Sequence, residues 1–476
     1  MMRKTTRILI FVAIVIAMLC MVTACQNKNI YLNINGDIED NYNNINLSEL
    51  DKVAFQYTDN EEKTVKEKGY TLQAILENVT PIFDDNYILI TATDGVSTMI
   101  EYSNLDKLII YENEENKLCV NAPEFPRSVG IKDIADITII AKNNGNWGIK
   151  LVGEGTQYIS YGNAKLLFYT QEAVNKMNDI IAYKYVPKEK DISLRDMLDC
   201  QNLIAYFTDF DIARSYDNTI IEYKNGNIVM PKSNGQEGIL FGIVSDVSTL
   251  SYDSFDIMKN ALNNDKKVVF ILPDGYSYQQ YELYKNQLNI LGRPCIKAAT
   301  VNPAISNVSL ASLITGKSPF YTEITSRPVK EPAVTDIFEI AKSKGKTVSY
   351  IEGSKNLLIT SEEPILSLPD SDGFTDSTVF KNSVIELDKN KDLTFIHFHG
   401  IDDVNHEYGA LSTQALAKLV ETDNYISTLL TDFHGVVVIV PDHGHIDKVD
   451  SEGNHYGEHG LFQNEDMYIP YFTWEQ

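Results

Sequence analysis

All eight histidines of this sequence lie between His397 and His459, interleaved with aspartates. Two stretches hold most of them, FIHFHGIDDVNHEYG (395–409) and VVVIVPDHGHIDK (436–448). Imidazole and carboxylate together make the mixed nitrogen and oxygen donor set of a divalent transition-metal site, zinc above all, with manganese as the alternative. Asp402 and His406 stand four residues apart. Asp442 and His443 are adjacent after an unbroken Val/Ile run, His459 follows in YGEHG, and Asp274 closes a further apolar run, KKVVFILPDG. These six residues divide into two sites of three. Two cations side by side clamp the attacking and leaving oxygens of an in-line phosphoryl transfer.

Such chemistry calls for a nucleophile, and TVNPAISNVSLASLITGKSP (300–319) supplies one. Ser306 follows a Pro-containing turn, and NVSLASLIT (307–315) after it reads as a short helix stopped by Gly316. A serine at a helix N-terminus faces the free amides and partial positive charge that also hold phosphate. A plain N-capping serine is common, but the six ligand candidates favour the nucleophile role for Ser306. Among the other histidines, His397 and His399 alternate along a strand and share one face, as groups that pack or that orient ligands. His445 and His455 fall in loops beside the site, and His434 sits at a turn. Asp403 competes with Asp402 as a ligand, and the spacing to His406 favours Asp402. Glu352, in YIEGS, ends a strand at the same sheet edge.

The elements that must hold these residues are strands apolar on both faces. KKVVFILPDG, KTVSYIEG, LTFIHFHGID and GVVVIVPDHG each run from an apolar strand into polar residues. Helical stretches such as STQALAKLVETDNYISTLL lie between them. The alternation predicts an α/β domain over 259–476, a mostly parallel sheet flanked by helices. Ligands of such sheets sit at the carboxyl ends of the strands, where Asp274, Asp402 and Asp442 stand.

The N-terminal half has a different character. MMRKTTR followed by an apolar stretch and VTAC reads as a leader over residues 1–24 and resembles a bacterial lipobox. Lipidation of Cys25 would tether the chain outside the cytoplasmic membrane. Residues 25–48 are rich in Asn and Asp and read as a flexible tether. Two small α+β modules follow, 49–145 and 146–258, as possible copies of one another. They resemble the molybdopterin-binding oxidoreductase domain without its cofactor ligand, which implies a binding or spacer role. Cys119, Cys200 and Cys295 are odd in number and widely spaced, as free thiols would be. A net charge of −25 argues against nucleic-acid binding and is otherwise a solubility feature.

LPDG, NPAISNVSLASLITGKSP, DDVNHEYG, PDHG and GEHG, in this order, resemble the alkaline phosphatase superfamily, and within it the nucleotide pyrophosphatase/phosphodiesterase branch. The resemblance covers residues 264–476. It implies that Asp274, Asp442 and His443 bind one cation together with the nucleophile's oxygen, and that Asp402, His406 and His459 bind the other. It also places the nucleophile ten residues before the Gly of the TG pair, which is Ser306. The sequence departs from the branch, where Thr is the more frequent nucleophile, in a Thr-Phe-Pro-Asn context; Thr300 is the weaker rival here. The branch's downstream phosphate-contacting Asn has Arg327 as its nearest counterpart, and Arg327 and Asn307 are the substrate-binding candidates. A guanidinium suits a more highly charged phosphate. The sulfatase pattern is not met by RPCIKAA. The resemblance thus implies a surface-anchored hydrolase of phosphate esters with two zinc or manganese ions and a phosphoseryl intermediate. A phospho- or sulfo-transferase of the same superfamily and a non-catalytic surface lipoprotein are the alternatives.

Overall fold

The structure is a computed structural model that describes residues 29–58, 63–143, 145–198, 200, 202–216 and 218–476. The leader and Cys25 lie outside the described residues. No helix among the described residues is long and apolar enough to cross a membrane. The fold is α/β, with several mixed or antiparallel sheets and one mostly parallel sheet. The chain divides into two compact units: residues 29–143 with Ser160–Lys190 and Asn225–Asn227, and Gly145–Ile159 with Asp191–Lys224 and Ile228–Gln476.

The first unit is built on a seven-stranded sheet. Its strands include Tyr31–Gly36 and Tyr42–Asn46, inside the stretch expected to be a flexible tether. The reason is a short period-2 pattern among the asparagines: Leu32 and Ile34 are buried in the core of this unit. The hairpin Tyr169–Met177 and Ile180–Pro187 extends the same sheet. Residues 160–190 therefore pack with the first unit, across the boundary expected near 146. Leu194–Asp196 form a single 3₁₀ turn.

Five strands of this sheet run Ser97–Glu101, Asn86–Ala92, Ile134–Ala141, Tyr31–Gly36 and Tyr42–Asn46, with one parallel pair between the third and fourth. In the second unit, Ile212–Tyr216, Asn202–Phe207, Glu237–Ser245, Ile149–Val152 and Thr156–Ile159 follow the same order, with the parallel pair in the same place.

The second unit also carries the sheet that holds the chemistry. Its order is Ile296–Ala299, Tyr468–Glu475, Val436–Ile439, Val268–Pro273, Leu393–Phe398, Val348–Glu352 and Ile365–Leu366. The Val436–Ile439, Val268–Pro273, Leu393–Phe398, Val348–Glu352 and Ile365–Leu366 strands pair in parallel, and the Tyr468–Glu475 strand pairs antiparallel on both its sides. The unbroken apolar runs have a simple cause. Val268, Phe270 and Leu272 enter one core, and Val269 and Ile271 enter another on the opposite face. Helices Ser254–Asn263, Ser306–Thr315 and Ile337–Ser343 supply the first core, and Asp376–Asp388, Gly400–Tyr408 and Thr413–Leu429 the second. With both faces covered, polar groups gather where the strands end. Cys119, Cys200 and Cys295 are free thiols.

Candidate active site

The three central strands deliver the aspartates. Asp274 follows the Val268–Pro273 strand, and its backbone N–H donates to Phe398 O at 2.9 Å, which ties it to the neighbouring strand's end. Asp442 follows Val436–Ile439, and Asp402 lies in the first turn of the Gly400–Tyr408 helix. Gly275 takes φ +73°, and a Cβ there would lie 3.1 Å from Cα and Cβ of Asp402. Only glycine lets the Asp274 turn and the Asp402 helix approach this closely.

Asp274, Asp442 and His443 form one group whose donor atoms all lie within 4.8 Å of one another. His443 Nε2 lies 3.5 Å from Asp274 Oδ1 and 3.3 Å from Asp442 Oδ2. Asp402, His443, His445 and His459 form a second group. His459 Nε2 lies 3.9 Å and His406 Nε2 3.6 Å from the Asp402 carboxylate. The i,i+4 spacing does place Asp402 and His406 on one helix face, and the His406 ring sits 5.0 Å from that of His459. The structure thus brings together all six residues singled out as ligand candidates. It also adds His445, whose Nε2 is 2.6 Å from Asp402 Oδ1. The signal for His445 was its place two residues after His443, on the same excursion from the strand.

These donors fit a divalent cation on two counts. Asp274 Oδ1 and Asp442 Oδ2 are buried without a hydrogen-bond partner, although buried polar atoms are almost always satisfied. The Asp442 carboxylate is oriented through its other oxygen, which accepts from Gly275 N at 3.1 Å and His443 N at 3.0 Å. In addition, three imidazoles are each held through Nδ1–H by a backbone carbonyl. His406 donates to Gly457 O at 3.0 Å, His443 to Gly444 O at 3.0 Å and His459 to Ala304 O at 2.9 Å. A carbonyl can only accept, so Nδ1 carries the proton and Nε2 presents a lone pair.

The electrostatics of the cluster are those of crowded carboxylates. Burial, with the neighbouring charges of Asp274 and Asp402, pushes the Asp442 carboxyl well above its usual range. Burial, then the charge of His459, holds His443 down to about 3. His459 is also lowered, by burial first. For Asp274, burial is outweighed by hydrogen bonds from His397 and His399, and its carboxyl is held well below the usual range. Asp403 is pushed up to about 6 by burial and then by Asp402. It belongs to neither ligand group.

Ser306 opens the Ser306–Thr315 helix, which Gly316 ends in the left-handed conformation. Its Oγ lies 3.3 Å from His443 Nε2. Thr300, the rival nucleophile, is fully buried and donates its hydroxyl proton to Asp442 O, which removes it from contention. Asn307 differs from its expected substrate-binding role. Its amide donates to Ser326 O at 2.9 Å and Val329 O at 3.0 Å, so it anchors the loop that carries Arg327. Arg327 is exposed, with Nη2 3.3 Å from His459 Nε2. His434 precedes the Val436–Ile439 strand, at the end away from Asp442, and His455 is exposed on a hairpin.

No protein-family profile matches this sequence, and no curated protein matches it. Solved structures are similar over part of the chain. The phosphonoacetate hydrolase of Sinorhizobium meliloti 1021, bound to phosphonoformate, is 18% identical; the similarity covers 40% of this chain and 58% of that one, at a TM-score of 0.32. An inactive murine ectonucleotide pyrophosphatase/phosphodiesterase 5, in complex with AMP, is 14% identical over 39% of this chain and 59% of that one, at a TM-score of 0.31. The chain therefore spans less than two thirds of either structure.

Proposed function

We propose that this protein is a metal-dependent hydrolase of phosphate esters that acts through Ser306, tethered outside the cytoplasmic membrane by lipid on Cys25. The observation that carries the reading is Ser306 Oγ at hydrogen-bond reach of His443 Nε2, at a helix N-terminus, beside buried carboxylate oxygens that have no partner. Asp274, Asp442 and His443 would hold one cation, and Asp402, His406 and His459 the other, with zinc favoured by the nitrogen content. When bound, such cations supply positive charge to the attacking and leaving oxygens of the transfer.

The chain's own residues supply the rest. Ser306 Oγ forms the bond to phosphorus as the ester oxygen leaves, and water later cleaves the phosphoserine. Its hydroxyl proton would pass to water, because Nδ1 of His443 already donates to Gly444 O and the Nε2 lone pair would be committed to the cation. The N-terminal amides of the Ser306–Thr315 helix face the phosphoryl oxygens. Arg327, at the rim, offers paired donors to the non-transferred oxygens. Asn307 places that rim loop.

The test is hydrolysis of p-nitrophenyl phosphate and bis-p-nitrophenyl phosphate by the zinc-loaded protein and by Ser306→Ala. Loss of about 10³-fold or more in kcat on the preferred ester is expected, from the size of nucleophile deletions in enzymes of this kind. Metal content per chain should stay unchanged. Equal rates for the two proteins would remove Ser306 from the mechanism.

A further inference from the structure

The turn after the Asn202–Phe207 strand carries a buried ion pair that lies outside the ligand groups. Asp211 and Lys232 are buried; Lys232 Nζ stands 3.9 Å from Asp211 Oδ2 and contacts Asp209 more closely. The ammonium also faces two rings, at 5.6 Å from the centroid of Phe207 and 4.9 Å from that of Phe320. Asp211 Oδ1 accepts from Ser318 Oγ at 2.9 Å, and Phe210 O accepts from Phe320 N at 3.3 Å. Ser318 and Phe320 open the 318–329 strap, which follows the Ser306–Thr315 helix and carries Arg327. The same sheet also meets the turn before Ser306, where Tyr206 Oη donates to Thr300 O at 2.5 Å.

We propose that Asp211, through Ser318, is a positioning residue for the candidate site: it fixes the strap that carries Arg327 and so sets affinity for the phosphate from a distance. The inference rests on the reading above that places Arg327 at the phosphate, and it gives the turn after Asn202–Phe207 a part in substrate binding.

The strap is pinned at both ends and tied in between. Asn307 holds its far end through Ser326 O and Val329 O. Ala333 N donates to Thr322 O at 2.9 Å, and Asp211 holds the start. Arg327 is exposed, and a long exposed side chain loses freedom when it clamps an anion. A backbone already fixed on both sides of Arg327 confines that loss to the side chain. The bond from Ser318 is charge-assisted, because its acceptor is a carboxylate, and such bonds are the stronger kind. Burying that carboxylate is costly unless it is paired. Lys232 pairs it, and the rings of Phe207 and Phe320 add their faces to the ammonium. Phe320 belongs to the strap, so the ion pair grips the strap at two points.

The probe is inorganic phosphate, titrated by calorimetry into the zinc-loaded full chain. Ser318→Ala and Asp211→Asn should each weaken its binding by about 2–10-fold, the size of one side chain's ordering cost, with zinc content unchanged. In an Arg327→Ala background Ser318→Ala should have no further effect, because residues that act through one another are not additive. On a hydrolysed ester the same change should raise KM and leave kcat as it is. Arg214→Ala is the comparison: it removes another tie of the same sheet, to Ser248 O and Asp253, and should not alter phosphate affinity. An equal loss from Ser318→Ala with and without Arg327, no loss in either, or a matching loss in Arg214→Ala would overturn the proposal. So would a wild-type protein that binds no phosphate. The hydrolase reading is judged apart, by the rate of Ser306→Ala: a protein that binds phosphate through Arg327 but cleaves no ester would sink that reading and keep this one.

Discussion

Buried charge is handled in two ways in this molecule. In the first unit, Asp37 is fully buried, and each of its oxygens is filled: Oδ2 accepts from Ala141 N at 2.7 Å and Ser160 Oγ at 2.8 Å, and Oδ1 from Gly162 N at 2.9 Å. Lys165 in the same unit meets Asp136, with Thr138 Oγ1 at 2.8 Å and Thr91 Oγ1 at 3.2 Å. In the second unit, Asp274 and Asp442 are as deeply buried, and each leaves one oxygen bare. A closed set of partners holds a fold together. An open set, in a cluster of like charges, is relieved by a cation in its midst or by a proton on one of its carboxyls, as burial favours at Asp442. Burial therefore does not mark the candidate active site; bare carboxylate oxygens clustered with imidazole donors do.

Substitutions separate the two kinds of charge. The largest effect is expected for Asp442→Asn, which should lower hydrolysis by about 10³-fold through loss of bound metal, as read by kinetics together with elemental analysis. The same change removes one of the crowded charges, so the metal-free protein should unfold at an equal or higher denaturant midpoint. A clear loss of stability in that variant would place Asp442 with the structural carboxylates. Lys165→Ala reverses the pattern. It leaves Asp136 without its buried cation and should cost up to about 3–5 kcal/mol by denaturant unfolding, with metal content unchanged. Asp37→Asn turns an amide donor toward backbone N–H groups and should cost about 1–3 kcal/mol, again with full metal content.

Smaller effects sharpen the contrast. Arg327→Ala should raise KM about 10-fold or more with little change in metal content, since a charged hydrogen bond contributes roughly 1.5–3 kcal/mol. The pH dependence of the metal-free protein follows from His443. Its folded pKa is held at about 3 against a usual 6.5, so over that interval the unfolded chain binds the proton first. Stability from this group is then lost as pH falls from 6.5 toward 3. Thermal melts of the metal-free protein should drop more steeply across that window than those of His443→Asn, and parallel curves would contradict the assignment.

Much of the site was legible in the chain order. Asp274, Asp402 and Asp442 stand where apolar runs end, because a parallel sheet covered on both faces has polar space only beyond its strand ends. The four-residue spacing of Asp402 and His406 and the Gly316 stop were readable for the same kind of local reason. Asn307 was not, because only the fold brings the 326–329 loop over its amide. The strands at Tyr31–Gly36 and Tyr42–Asn46 were hidden by asparagine content, which outweighed the alternation of Leu32 and Ile34.

The sequence by itself determined which donors exist and at which strand ends they emerge, since periodicity and composition are local properties. The tertiary structure decided the pairing: which oxygen of Asp274 turns to His443 and which to His397 and His399, and that Glu352 and His445 join them. Those residues are separated by up to about 170 positions in the chain. Their meeting is set by the order of the parallel strands in the sheet, which no local pattern encodes.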